Sequence, residues 1–73
     1  MNYYKAELVE LNSQGLEKEL EFNKTILSQI VADIKKAQPR EYGSLEYAIL
    51  LDRKIDCEMN IKDINEVIQE RGL

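Results

Sequence analysis

The sequence predicts an all-α protein, an antiparallel helical hairpin preceded by a short N-terminal helix. Three observations carry this. Two long stretches, Leu16 to Ile34 and Leu45 to Ile68, are apolar at helical spacing. The only proline of the chain, Pro39, falls between them together with Gly43. The composition, 44% hydrophobic and 33% charged, is too apolar for a disordered tail and close to that of helical bundles.

The first arm is read from Leu16, Leu20, Ile26, Leu27, Ile30, Val31 and Ile34, which share one helix face, with Glu, Lys, Gln and Asp between them. Asn12 and Ser13 are good N-caps. Glu17, Glu19 and Glu21 crowd the first turns and Lys35 with Lys36 close the last, as the helix dipole prefers, so the helix spans roughly 13–37. Asn23 lies on the apolar stripe, where a single polar residue can fix the register of a helix pair.

Upstream, Tyr4, Leu8 and Leu11 fall about a quarter circle from that stripe. A bend at "NSQG" accounts for this, since Gly15 inside a helix costs about 1 kcal/mol against Ala. Residues 3–11 are therefore read as a short separate helix, with a strand as the alternative. Downstream, Pro39 lacks an N–H and disfavours helical geometry at Gln38, which stops the first arm near Ala37. Two restarts compete: Pro39 as a first helical residue, or Ser44 as an N-cap with Glu46 in the first turn. Either leaves a connector short enough to join antiparallel neighbours.

The second arm carries two stripes. Leu45, Ala48, Leu51, Ile55 and Met59 share one face, and Cys57, Ile61, Ile64 and Ile68 a nearly opposite one. Either the helix breaks near Asn60, or it runs straight to about Arg71 and meets different neighbours on its two sides, with Gly72 as the C-cap glycine. The expectation is that the Leu51 stripe faces the hairpin core and that Leu51→Asp unfolds or dissociates the protein. Ile61, Ile64 and Ile68, with Leu50 and Cys57, are then the candidate partner interface. "YAILL", residues 47–51, is apolar nearly all round, as in a helix set between several others, so oligomerisation, with a dimer favoured, is expected to complete a bundle.

At 73 residues the chain is a single small domain, 1–73, and a domain of this size buries only about 60% of its unfolded surface. Cys57 is the one cysteine and histidine is absent, so neither a disulfide nor a zinc site supplies support. A lone thiol and no N-terminal apolar run point to the cytoplasm. The longest apolar run is far short of the ~20 residues of a membrane span. Net charge is −4, which repels a polyphosphate backbone and disfavours nucleic acid as a partner.

Catalytic signals are weak throughout. Without histidine a nucleophile lacks its usual base. Glu17 with Glu21, and Asp52 with Asp56, have the i, i+4 spacing of carboxylate metal sites, but Lys18, Lys24, Arg53 and Lys54 among them make a solvated face the simpler reading. Lys35, Lys36 and Arg40 form a small basic patch beside Tyr42 at the turn. No cofactor, metal or small-molecule substrate is predicted.

In size, and in "AILLD" at residues 48–52, the chain resembles the Spo0E-like hairpin phosphatases of sporulating bacteria, whose second helix carries a Ser-Gln-Glu-Leu-Asp signature. Leu51 and Asp52 match the end of that signature, and Ala48 stands in place of its serine. The resemblance implies action on a response regulator, with Asp52 as the residue to watch. The residues themselves point instead to a small non-catalytic interaction or regulatory protein that binds another protein, or itself, through helical apolar surfaces. A nucleic-acid-mimicking inhibitor is a further alternative, although Lys and Arg interrupt its acidic face.

Overall fold

The computed structural model describes residues 3–72, with side chains from Lys5 onward. Three α-helices follow one another: α1 (Tyr3–Leu8), α2 (Ser13–Lys36) and α3 (Leu45–Glu70), with a 3₁₀ turn at Pro39–Glu41 before α3. No strand occurs among the described residues. The helical reading of residues 3–11 therefore holds for its first part, Val9 and Glu10 forming a turn; the side chain of Tyr4 lies outside the described set.

The bend before α2 has a local cause. The Asn12 side chain accepts the Gly15 N–H at 2.7 Å, capping α2. A Cβ on Gly15 would lie 3.3 Å from both Asn12 Oδ1 and Leu11 Cβ, so the glycine keeps the cap and the preceding chain close. At the far end of α2, Ala37 is extended and the helix ends at Lys36, three residues before Pro39. Both proposed restarts are used: Pro39 opens the 3₁₀ turn, and Ser44 accepts the Tyr47 N–H at 3.1 Å to cap α3. Gly72 follows the last helical turn at φ +73°, the left-handed position that a glycine takes without strain.

α3 runs unbroken through Asn60. Asn60 Nδ2 instead donates to Asn23 Oδ1 at 3.2 Å across the hairpin, while Asn23 Nδ2 donates to the Glu19 carbonyl at 2.8 Å. Asn23 is buried, so this pair sets the register of α2 against α3.

The core lies at the open base of the hairpin, where α1 folds across α3. Leu8, Leu16, Ile64 and Val67 are buried there, with Leu11, Leu20 and Ile68 packed around them. Farther toward the turn, among the described residues, Asn23, Ile30 and Cys57 are buried. Lys5 bridges α1 to Glu66 and Glu70 of α3 at 3.2 and 3.4 Å. Arg71 closes the base by donating to the carbonyls of Leu11 and Val9. These carbonyls follow α1 and have no helical partner of their own, so Arg71→Ala is expected to loosen α1 by about 1 kcal/mol. Hydrogen exchange should then find α1 amides opening about five times as often, with the α2 and α3 amides nearest Asn23 and Asn60 unchanged.

Candidate functional site

The two sides of α3 differ in what they meet. Cys57 and Ile64 face inward and are buried, and Val67 completes that side at the base. Roughly 160–200° around the helix from Cys57 lie Ile55 and Met59. Both are 54% exposed, and Leu45 at 74%, Ile49 at 44% and Leu51 at 39% extend the apolar surface toward the turn. Ala48 is exposed with them.

This reverses the sequence-based assignment of the two stripes. Ile64 is part of the internal core and Cys57 is buried beside Ile26 and Ile30 on α2; Leu50, Ile61 and Ile68 are half-buried. Ile61 lines an open groove with Leu27 and Glu58, and Ile68 packs on the core cluster. The stripe expected to face the hairpin, Leu45, Leu51, Ile55 and Met59, is the one left uncovered. The periodicity identified both stripes, but nothing in it ranks one above the other. What decides is α1: Leu8 packs on the Ile64 side at the base, and the Asn23–Asn60 pair fixes that rotation of α3 along the hairpin.

The molecule is correspondingly thin. Its extents are 46 × 24 × 14 Å, and α2 and α3 form one pair of helices that α1 covers at the base alone. The hairpin is thus a single layer, whereas stable domains are built from two or more packed layers. Its radius of gyration, 14.6 Å, exceeds the ~11 Å of a compact chain this long. Its accessible surface, 5506 Å², exceeds the ~4,650 Å² typical of a monomer of this mass by roughly 850 Å².

The remaining candidates stay apart. With Asn23 level with Asn60, the antiparallel register puts Glu17 and Glu21 beside residues 62–66, about ten residues and roughly 15 Å from Asp52 and Asp56. Among the described residues no three His, Cys, Asp or Glu side chains converge as metal ligands would. Lys35, Lys36 and Arg40 are all exposed, and Tyr42 stacks on Tyr47 with ring centroids 5.0 Å apart. No helix among the described residues is long and apolar enough to cross a membrane.

Cys57 is set up as a core residue. Burial pushes its thiol pKa up, the neighbouring Asp56 adds to the rise, and Arg53 partly offsets it. On unfolding the thiol regains its ordinary acidity, so the unfolded chain loses the proton first. Stability is then expected to fall once pH rises past roughly 8.5. Lys5 adds a second loss at higher pH. Its pKa is raised by the hydrogen bonds it donates to Glu66 and then Glu70, and that contribution is present below its ordinary range and disappears as pH climbs through the raised value. Urea titrations at pH 7 to 12 check this: Cys57→Ala should abolish the part of the decline that begins near pH 8.5 and leave the later part in place.

No protein-family model matches this chain, and neither a curated protein nor a solved structure matches it.

Proposed function

We propose that the protein is a small, non-catalytic interaction module of the cytoplasm that binds a protein partner, a second copy included, through the outward face of α3. The observation that carries this is the row of exposed large apolar side chains, Leu45, Ile49, Leu51, Ile55 and Met59, on one side of a two-helix hairpin. Single exposed apolar residues are ordinary, but a contiguous row of them on one element marks a binding face. The face presents aliphatic side chains and a thioether with carboxylates and lysines at its margins, which suits a partner helix rather than a polar small molecule. A free, buried Cys57 agrees with a reducing compartment.

Hydroxyl-radical labelling of Met59 in an extract of the cells that make the protein tests the reading. Protection of Met59 relative to a urea-unfolded control is the expected result. Labelling at the unfolded rate, with the rest of α3 protected as in the folded chain, would mean that the face stays bare.

A further inference from the structure

Resting on that reading, we infer that the occupant of the outward face is a second copy of this chain, paired antiparallel along α3 about a two-fold axis level with residue 57. The seam is legible in the exposed residues. Leu45, Ala48, Asp52, Ile55, Met59 and Lys62 are all exposed and follow one another at spacings of three, four, three, four and three, the a/d alternation of a two-helix seam. Beyond Lys62 the next seam position is Glu66, which Lys5 holds.

Two members of the seam are charged, and their signs choose the orientation. In a parallel pair in register, Asp52 would meet the partner's Asp52 and Lys62 the partner's Lys62, two like-charge contacts in the middle of an apolar strip. In the antiparallel arrangement about residue 57, Asp52 meets the partner's Lys62 at both ends of the pairing. Between those two ion pairs, Ile55 stacks on the partner's Met59 and Met59 on the partner's Ile55. The contact is isologous and closes on itself, so it yields a dimer and not a fibre. The roughly 850 Å² of excess surface is about what each partner contributes to a standard interface. The pairing also brings two thin hairpins together and covers Ile55 and Met59 of both at once, while Leu45 and Ala48 of each copy lie against the partner's Gln69 and Glu66 at the ends of the seam.

Sedimentation equilibrium of the purified chain provides the test. The wild-type protein should sediment at twice its 8.5 kDa at high micromolar concentration. Asp52→Lys and Lys62→Asp alone should each weaken the dimer about tenfold or more, because each creates like-charge contacts at both ends of the seam. Asp52→Lys combined with Lys62→Asp should restore wild-type affinity. Circular dichroism on the same samples should show unchanged helix content, since both positions are exposed. A dimer that neither single change weakens, or that the double change fails to restore, overturns the antiparallel register. A purified chain that stays at 8.5 kDa at all concentrations overturns the second-copy assignment, and protection of Met59 in extract would then show that the face serves a different protein.

Discussion

Ile64→Asp is expected to abolish folding. Ile64 is fully buried among Leu8, Leu16 and Val67, where α1, α2 and α3 meet. At 0.05–0.15 kcal/mol per residue, a domain this long has roughly 4–11 kcal/mol of stability in all. Truncation of a buried isoleucine to alanine already costs about 2–5 kcal/mol, and placing an unpaired carboxylate in an apolar site adds several more. A coil-like circular-dichroism spectrum at 25 °C is the predicted readout. The sequence alone leads to a different expectation, in which changes at Ile64 and Ile68 weaken association and spare the helices. The position of Ile64 beneath α1 makes helix loss the primary effect.

Ile55→Asp is expected to do the converse. Ile55 is 54% exposed on the outer side of α3, so a carboxylate there stays hydrated in the isolated hairpin, and surface changes of this kind stay within about 0.5 kcal/mol. In the proposed dimer the same carboxylate would be trapped against the partner's Met59 at the centre of the seam, at a cost of several kcal/mol. The predicted result is a helical monomer, with affinity reduced a hundredfold or more. Leu51→Asp should behave likewise but more weakly, because Leu51 flanks the seam. It is not expected to unfold the chain, although reading its stripe as the hairpin core gives that expectation.

The fold was open to reading because its local signals agree. Pro39, Ser44, Asn12 and Gly72 punctuate the helices where their backbone chemistry requires, and the Leu16 to Ile34 stripe has one buried direction. Asn23 could be singled out as a polar residue in a seam, but its partner Asn60 could not, because the same residue also reads as an N-cap in a broken helix. The outward face of α3 was legible as a pattern and ambiguous as an assignment. α3 has apolar residues on two opposite sides, so periodicity gives both stripes equal standing; only the tertiary placement of α1 and the Asn pair tells them apart. Arg71 was a further blind spot, since its bonds to Leu11 and Val9 join the two ends of the chain and leave no trace in local spacing.

One side of α3 holds the chain together, which leaves the other for the proposed partner. Thermal unfolding of Ile64→Ala and Ile55→Ala, at a concentration dilute enough for the wild-type protein to be monomeric, tests it most directly. At about 4–8 °C per kcal/mol for a domain of this size, Ile64→Ala should lower the midpoint by about 8 °C or more, and Ile55→Ala should stay within about 3 °C of wild type. If Ile55→Ala is instead the variant that loses its midpoint while Ile64→Ala melts with the wild type, the two sides of α3 have been assigned the wrong way round.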